Sequence, residues 1–479
     1  MKSAAGLSIV LFAGLTALAQ PPANLVPAVR EFVREDAPVM ALQHARVIDG
    51  TGAAPREDQT LVIANGRIQA LGPAASTAIP PGAKVLDLTG ATLIPGIVGM
   101  HDHMYYPAPN GPPAMYPQHA SSFPKLYLAA GVTTVRTAGS LETYTDLEMK
   151  KLIDSGRMAG PKMHLTGPYL EGPGAFTPQM HQLKDADDST RTVNFWADQG
   201  VTSFKAYMNI TPEQLGAAVK AAHARGFKVT GHLCSIGFRE AAALGIDNLE
   251  HGIVADTEFY SQKKPGACPG AGAAQREMVE KLDMASEPVV AMIRDLVAKK
   301  VAITSTLPVF EAFVPGRPPL EQRVLNAMTL DARAAYLRAR ANVSDGAARA
   351  YWPALFKKEM EFELAFVRAG GTLLAGLDPT GNGAVIAGFG DQREIELLVE
   401  TGFTPLEAIQ IATSNGARFL GDDAIGLLAV GKAADIVVIR GNPAASIADI
   451  SKVDLVFKDG VGYDSAKLIE SARGLVGSR

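Results

Sequence analysis

The apolar run Thr92-Leu93-Ile94-Pro95-Gly96-Ile97-Val98-Gly99-Met100 leads directly into His101-Asp102-His103. Such a run predicts a buried strand over Leu93–His103. Side chains i and i+2 of a strand point the same way, so His101 and His103 project together from its C-terminal end. Two imidazoles in that relation suit one divalent metal ion. A lone His-x-His also occurs in ordinary cores, where each ring is simply hydrogen-bonded. The pattern gains meaning only if other strands end on ligand-type residues.

Four of them do. Val201–Met208 reads as a strand containing Lys205, and Phe227–His232 as a strand ending in His232. Ile246–Gly252 carries His251, and Gly371–Asp378 ends in Asp378. Further strands are expected at Gly131–Arg136, Lys162–Thr166 and Val301–Thr306. Helical stretches such as Pro212–Arg225 and Arg239–Leu244 lie between. Eight such units predict an α/β chain with a (β/α)8 TIM-like barrel, whose chemistry sits where the strand C-termini converge. The flanks read differently. A short helix is expected over Val26–Arg34, then a strand over Met40–Val47. Asn65-Gly66 between two apolar runs predicts a hairpin. Ala434–Ile439, Val453–Phe457 and the Asp459-Gly460 turn echo it. The two ends are expected to build one small β-sandwich, from residues 20–92 and 422–479, around a hydrolase barrel over 93–421. Met104–Pro124 and Phe310–Arg368 are long excursions, expected to cap the strand-end face.

The ordered set His-x-His, Lys, His, His, Asp resembles the amidohydrolase superfamily, from about Val47 to about Tyr463. The phrases Gly131–Arg136 and Asn248–Gly252 are most similar to the branch of imidazolonepropionase-related peptidases, with prolidase-like, arginine-carboxypeptidase-like and ochratoxinase-like enzymes. The resemblance implies two divalent ions, zinc by preference. One is held by His101, His103, Lys205 and Asp378, the other by Lys205, His232 and His251, with Lys205 as a bridging carbamate. It implies hydrolysis by a metal-bridging hydroxide, with Asp378 handling the proton. No Gly-x-Ser-x-Gly elbow offers a competing nucleophile. Tyr207, Tyr169 and His181 are candidate substrate contacts. Glu250 is expected to face away from the metals, as support or as a structural ion-pair partner. His44, His119, His164 and His223 are expected to be structural. The chain also departs from the branch: Thr137 follows Arg136 where members often have Asp, Gly167-Pro168-Tyr169 replaces Gly-Gly-His, and Leu233-Cys234 follows His232. These departures leave the ligands intact and fall where substrate would bind.

The expected activity is cleavage of an amide bond in a dipeptide or N-acyl amino acid. Hydrolysis of cyclic amides or lactones is the alternative enzyme, and a non-catalytic metal-binding scaffold the alternative of another class. A formal charge of −4 with no long basic tract argues against nucleic acid or an anionic membrane as partner. A small-molecule or dipeptide partner is expected, with a homo-oligomer left open. Lys2, an apolar stretch over about Ala4–Leu18 and Ala17-Leu18-Ala19 before Gln20 read as a signal peptide over residues 1–19. The run is too short for a comfortable membrane span. The expected address is therefore the periplasm or the exterior, with no membrane attachment after cleavage. An exported chain permits a disulfide between its two cysteines, Cys234 and Cys268, but one pair cannot be assigned from spacing. Cys234 reads as a small packed side chain.

Overall fold

Asn65 and Gly66 both take positive φ, 52° and 71°, as a two-residue hairpin turn requires. Strands Arg56–Ala64 and Arg67–Pro73 pair antiparallel across them. Asp459-Gly460 makes the same turn between Val453–Lys458 and Val461–Asp464. Both hairpins belong to one nine-stranded mixed sheet. Within it Ala91–Pro95 lies antiparallel to Ile436–Arg440, joining the two ends of the chain. The sheet has its own apolar core, with Leu42, Ile63, Leu93, Ile436 and Phe457 fully buried. Its hydrogen bonds run through a single connected sheet. In this computed structural model, residues 25–109, 115–270, 272–345 and 350–478 are described. The expected leader and the cleavage site before Gln20 lie outside them.

Two sequence expectations need correction here. The run before His101 is not one strand: Ala91–Pro95 belongs to the nine-stranded sheet and Ile97–Asp102 to another. Gly96 is the crossing point. Its N–H donates to the Asp435 carbonyl, the next N–H to that of Gly131, and a Cβ at 96 would collide with the Thr133 side chain. The helix expected over Val26–Arg34 covers only Pro27–Arg30, because Val33–Glu35 pairs with Val461–Asp464 instead. Sheet pairing overrides a weak local helix preference.

The remaining strands are parallel. Ile97–Asp102, Val132–Thr137 and Lys162–His164 form a three-stranded sheet. Thr166–Leu170, Ser203–Ala206, Lys228–Gly231, Asn248–Glu250, Ala302–Ser305 and Leu373–Ala375 form a six-stranded one. The eight expected strands are all there, the third broken at Leu165. They do not form one closed ladder, so the barrel expectation is met only as an α/β arrangement of two parallel sheets. At one seam the Thr137 hydroxyl accepts the Thr166 N–H, at 2.9 Å, in place of a ladder carbonyl. At the other, Gly376 presses so close that a Cβ would collide with His101, and the Asp378 N–H donates to the His101 carbonyl at 3.0 Å. Helices cover these sheets, among them Pro212–Ala224, which starts with a Thr211/Gln214 capping box. The excursion after Phe310 is mostly helical, with Gln322–Ala327, Leu330–Asp345 and Trp352–Arg368. No helix among the described residues is long and apolar enough to cross a membrane.

Candidate metal centre

His101 and His103 leave the end of their strand together, as alternation requires, with ring centroids 5.1 Å apart. Gly376 lets the last strand come against His101, and that approach delivers Asp378 to the same place. The His101 Nε2 lies 3.6 Å from Asp378 Oδ2, and the His103 Nε2 3.7 Å from Oδ1. The His251 Nε2 is 3.9 Å from Oδ2. These gaps are too long for hydrogen bonds. They are close to the separation of about 3.4 Å expected for two ligands on one tetrahedral ion with bonds of about 2.1 Å. His232 packs edge-on against His251, with centroids 4.3 Å apart. Lys205 is 1% exposed, with its Nζ 6.0 Å from the centre of the Tyr169 ring. His251 and Asp378 both hold positive φ, 71° and 50°. For residues with a Cβ this is uncommon backbone, of the kind that clusters at functional sites.

Three rings have their far nitrogens engaged. His101 Nδ1 is 2.7 Å from Glu250 Oε2, His103 Nδ1 3.2 Å from the Gly139 carbonyl, and His251 Nδ1 2.7 Å from the Thr306 hydroxyl. The Glu250 carboxylate and the Gly139 carbonyl accept from Nδ1 of His101 and His103, placing the proton there and leaving those two Nε2 lone pairs free, while the Thr306 hydroxyl can serve His251 Nδ1 in either direction. Burial, together with the neighbouring Lys205, holds His232 down at about 3, and burial also lowers His101, His103 and His251. The rings are thus neutral, the form that binds metal. Burial likewise drops Lys205 to about 8, against the opposing pull of Glu250 and Asp378, and raises Asp378 to about 6. Asp378 Oδ1 is buried without a hydrogen-bond partner among the described residues. An orphan carboxylate oxygen facing free imidazole nitrogens fits a cation.

The structure thus brings His101, His103, Lys205, His232, His251 and Asp378 to one cavity of about 240 Å³, with Tyr169 and Tyr207 in its wall. It does not bring His181, whose exposed ring lies 3.4 Å from Asp188 instead. Glu250 does not line the cavity and sits behind His101, as expected of a supporting residue. It accepts from Arg136 Nη2 at 2.6 Å, from the Thr230 hydroxyl, and lies against His101. Both parts of the expectation stand: Glu250 supports His101 from behind and pairs with Arg136. Tyr105 was missed. It stacks on His103 at 4.4 Å and its hydroxyl hydrogen-bonds that of Tyr169. The alternation that flags His101 and His103 reaches position 105 two residues later. Cys234 and Cys268 form a disulfide, with Cα atoms 4.8 Å apart, which ties the loop after His232 to a segment 34 residues further on. Among the other histidines, His44 pairs with Asp58 and His223 with Asp247, both outside the cavity.

Residues 370–461 match the model of the amidohydrolase family. No curated protein matches the chain. Among solved structures it is similar to bottromycin amidohydrolase, with a TM-score of 0.68 and 21% identity over 96% of each chain. It is similar to a Xaa-Pro dipeptidase solved with bound methionine, with a TM-score of 0.66 and 19% identity over 89% of this chain and 100% of that one. It is also similar to A. niger ochratoxinase, with a TM-score of 0.63 and 18% identity over 89% and 95%. The expected resemblance is therefore borne out to this extent: residues 370–461 match the amidohydrolase family model, and the fold is shared with these solved structures.

Proposed function

We propose that this protein is an exported, metal-dependent hydrolase of amide bonds in small substrates such as a dipeptide or N-acyl amino acid. We read the two parallel sheets as one (β/α)8 barrel over residues 93–421, set into a sheet domain built from both ends. The observation that carries the reading is the convergence of three imidazole Nε2 atoms on Asp378, whose Oδ1 is buried without a partner among the described residues. His101, His103, Lys205 and Asp378 would hold one ion, and Lys205, His232 and His251 the other. The imidazole-rich donor set favours zinc. Two such ions would supply a water acidic enough to attack near neutral pH and a Lewis acid for the carbonyl oxygen.

The chain's own residues do the rest. Glu250, the Gly139 carbonyl and Thr306 hold the rings in orientation, and the first two also set the tautomer. Lys205, with a pKa near 8, has a substantial neutral fraction at physiological pH. Its amine can add carbon dioxide, losing a proton and becoming a carbamate with one negative charge and two oxygens, as a bridging ligand needs. Asp378, pushed up to about 6, is poised to take the proton of the attacking water and return it to the leaving amine.

The test is metal analysis joined to turnover of a panel of dipeptides, N-acyl amino acids, cyclic amides and lactones. Lys205→Ala should lose at least one equivalent of metal and nearly all activity. Added small carboxylic acids should restore part of both. Full metal content and activity in Lys205→Ala would end the bridging reading.

A further inference from the structure

Beyond the metal ligands, the cavity wall is aromatic and uncharged. Tyr105, Tyr169 and Met180 are buried beside the centre, and Tyr207 and Tyr116 pack on them. Tyr207 bridges the rings of Tyr169, at 4.8 Å, and His232, at 5.0 Å. Phe176 stands at the rim, 44% exposed, within 6.0 Å of Tyr116 and 5.7 Å of Tyr207. Lys205 is the only lysine or arginine among the described lining residues, and in its bridging role it would carry a negative charge. Burial raises the hydroxyls of Tyr105, Tyr169 and Tyr207, so they stay neutral, and two of the three bond each other.

We propose that the part of the substrate seated against this wall is uncharged and apolar, a single aromatic ring or branched aliphatic group, and carries no free carboxylate. The proposal rests on the amide-hydrolase reading but moves its substrate class from dipeptides and N-acyl amino acids, which end in a carboxylate, to neutral amides. A carboxylate taken out of water needs a cation or a ring of donors to offset its lost hydration. Recognition of such groups usually falls to an arginine fork or a backbone nest. The described lining residues include no arginine, and two of the four tyrosine hydroxyls in the wall are spent on each other, whereas ring faces and a thioether match an apolar group. The volume of about 240 Å³ lies below the roughly 300–1,000 Å³ of drug-sized sites, which limits the group to about one ring.

The experiment is calorimetric titration of the metal-loaded protein with two benzohydroxamic acids, para-substituted by a carboxamide or by a carboxylate. The hydroxamate anchors both ligands on the ions, so only the far end differs. The carboxamide should bind roughly tenfold or more tightly. Tyr116→Arg should shrink or invert that ratio, since the backbone of Tyr116 is held independently by Gln179, at 2.8 and 3.1 Å. Equal or tighter binding of the carboxylate, no binding of either, or a ratio unmoved by Tyr116→Arg would overturn the proposal. A second arm compares hydrolysis of N-acetylphenylalanine amide with N-acetylphenylalanine. Selective hydroxamate binding without turnover of any amide would sink the activity and leave the wall's preference standing.

Discussion

Asp378 carries two demands on one side chain. It faces three imidazoles, and its Oδ1 is left without a protein partner. Asp378→Asn keeps the size and one oxygen but loses the basic atom. We expect kcat to fall by about 10²–10⁴ with KM little changed, checked by steady-state kinetics with metal content measured in parallel. A fully metallated variant at near-native kcat would make Asp378 a ligand only. Glu250 is the second residue to test. Its Oε2 holds His101 Nδ1 and its Oε1 answers Arg136. Glu250→Gln removes the charge that both partners need. Metal affinity should drop roughly 10–100-fold, read by competition with a chelator, and unchanged affinity would count against the orienting role.

At the scale of elements, the helix Trp352–Arg368 drives Glu359 and Glu363 under the strand end that bears Thr306, and Phe389–Thr401 adds Glu394. All three are fully buried. Glu359 accepts the Val254 N–H and Glu394 that of Leu307. Burial raises Glu363 to about 8. A carboxyl whose folded pKa lies above its unfolded one holds a proton that the unfolded chain has lost, so stability declines as pH rises from the ordinary glutamate range through about 8. Glu363→Gln removes one such group. Its melting temperature should therefore fall less than the native protein's across that interval, and parallel curves would refute the assignment. The same elements show what a sequence can disclose. Strand-end ligands were legible because alternation and order along the chain are local signals, and Asn65-Gly66 and Asp459-Gly460 announce their own turns. Gly96 was not legible as a break, since an apolar run reads alike whether it serves one sheet or two. Which groups Glu250 would hold was not legible, since its partner Arg136 lies 114 residues away. The disulfide depends on which loops meet, and cysteine spacing carries no trace of that. His181 looked eligible only because its loop lies near the site in sequence.

For the whole molecule, the expected leader makes a direct claim: the exported protein should begin at or near Gln20, and N-terminal sequencing from the periplasm or medium would decide it. Recovery of Met1 there would refute cleavage. The sheet shared by both ends has a wider consequence. Strand Ala91–Pro95 pairs with Val39–Val47 on one edge but finds its other partner only at Ile436–Arg440, and Ser414 reaches Gly50 across 364 residues. The entropy of closing so long a loop grows only with the logarithm of its length, so the arrangement is tolerable at equilibrium but late in time. As the chain emerges from the ribosome, its first strands can pair locally, but the outer edge of Ala91–Pro95 must wait for nearly the last strand to be made. A chain that cannot finish its scaffold early stays threadable, the condition a translocation channel sets for its cargo.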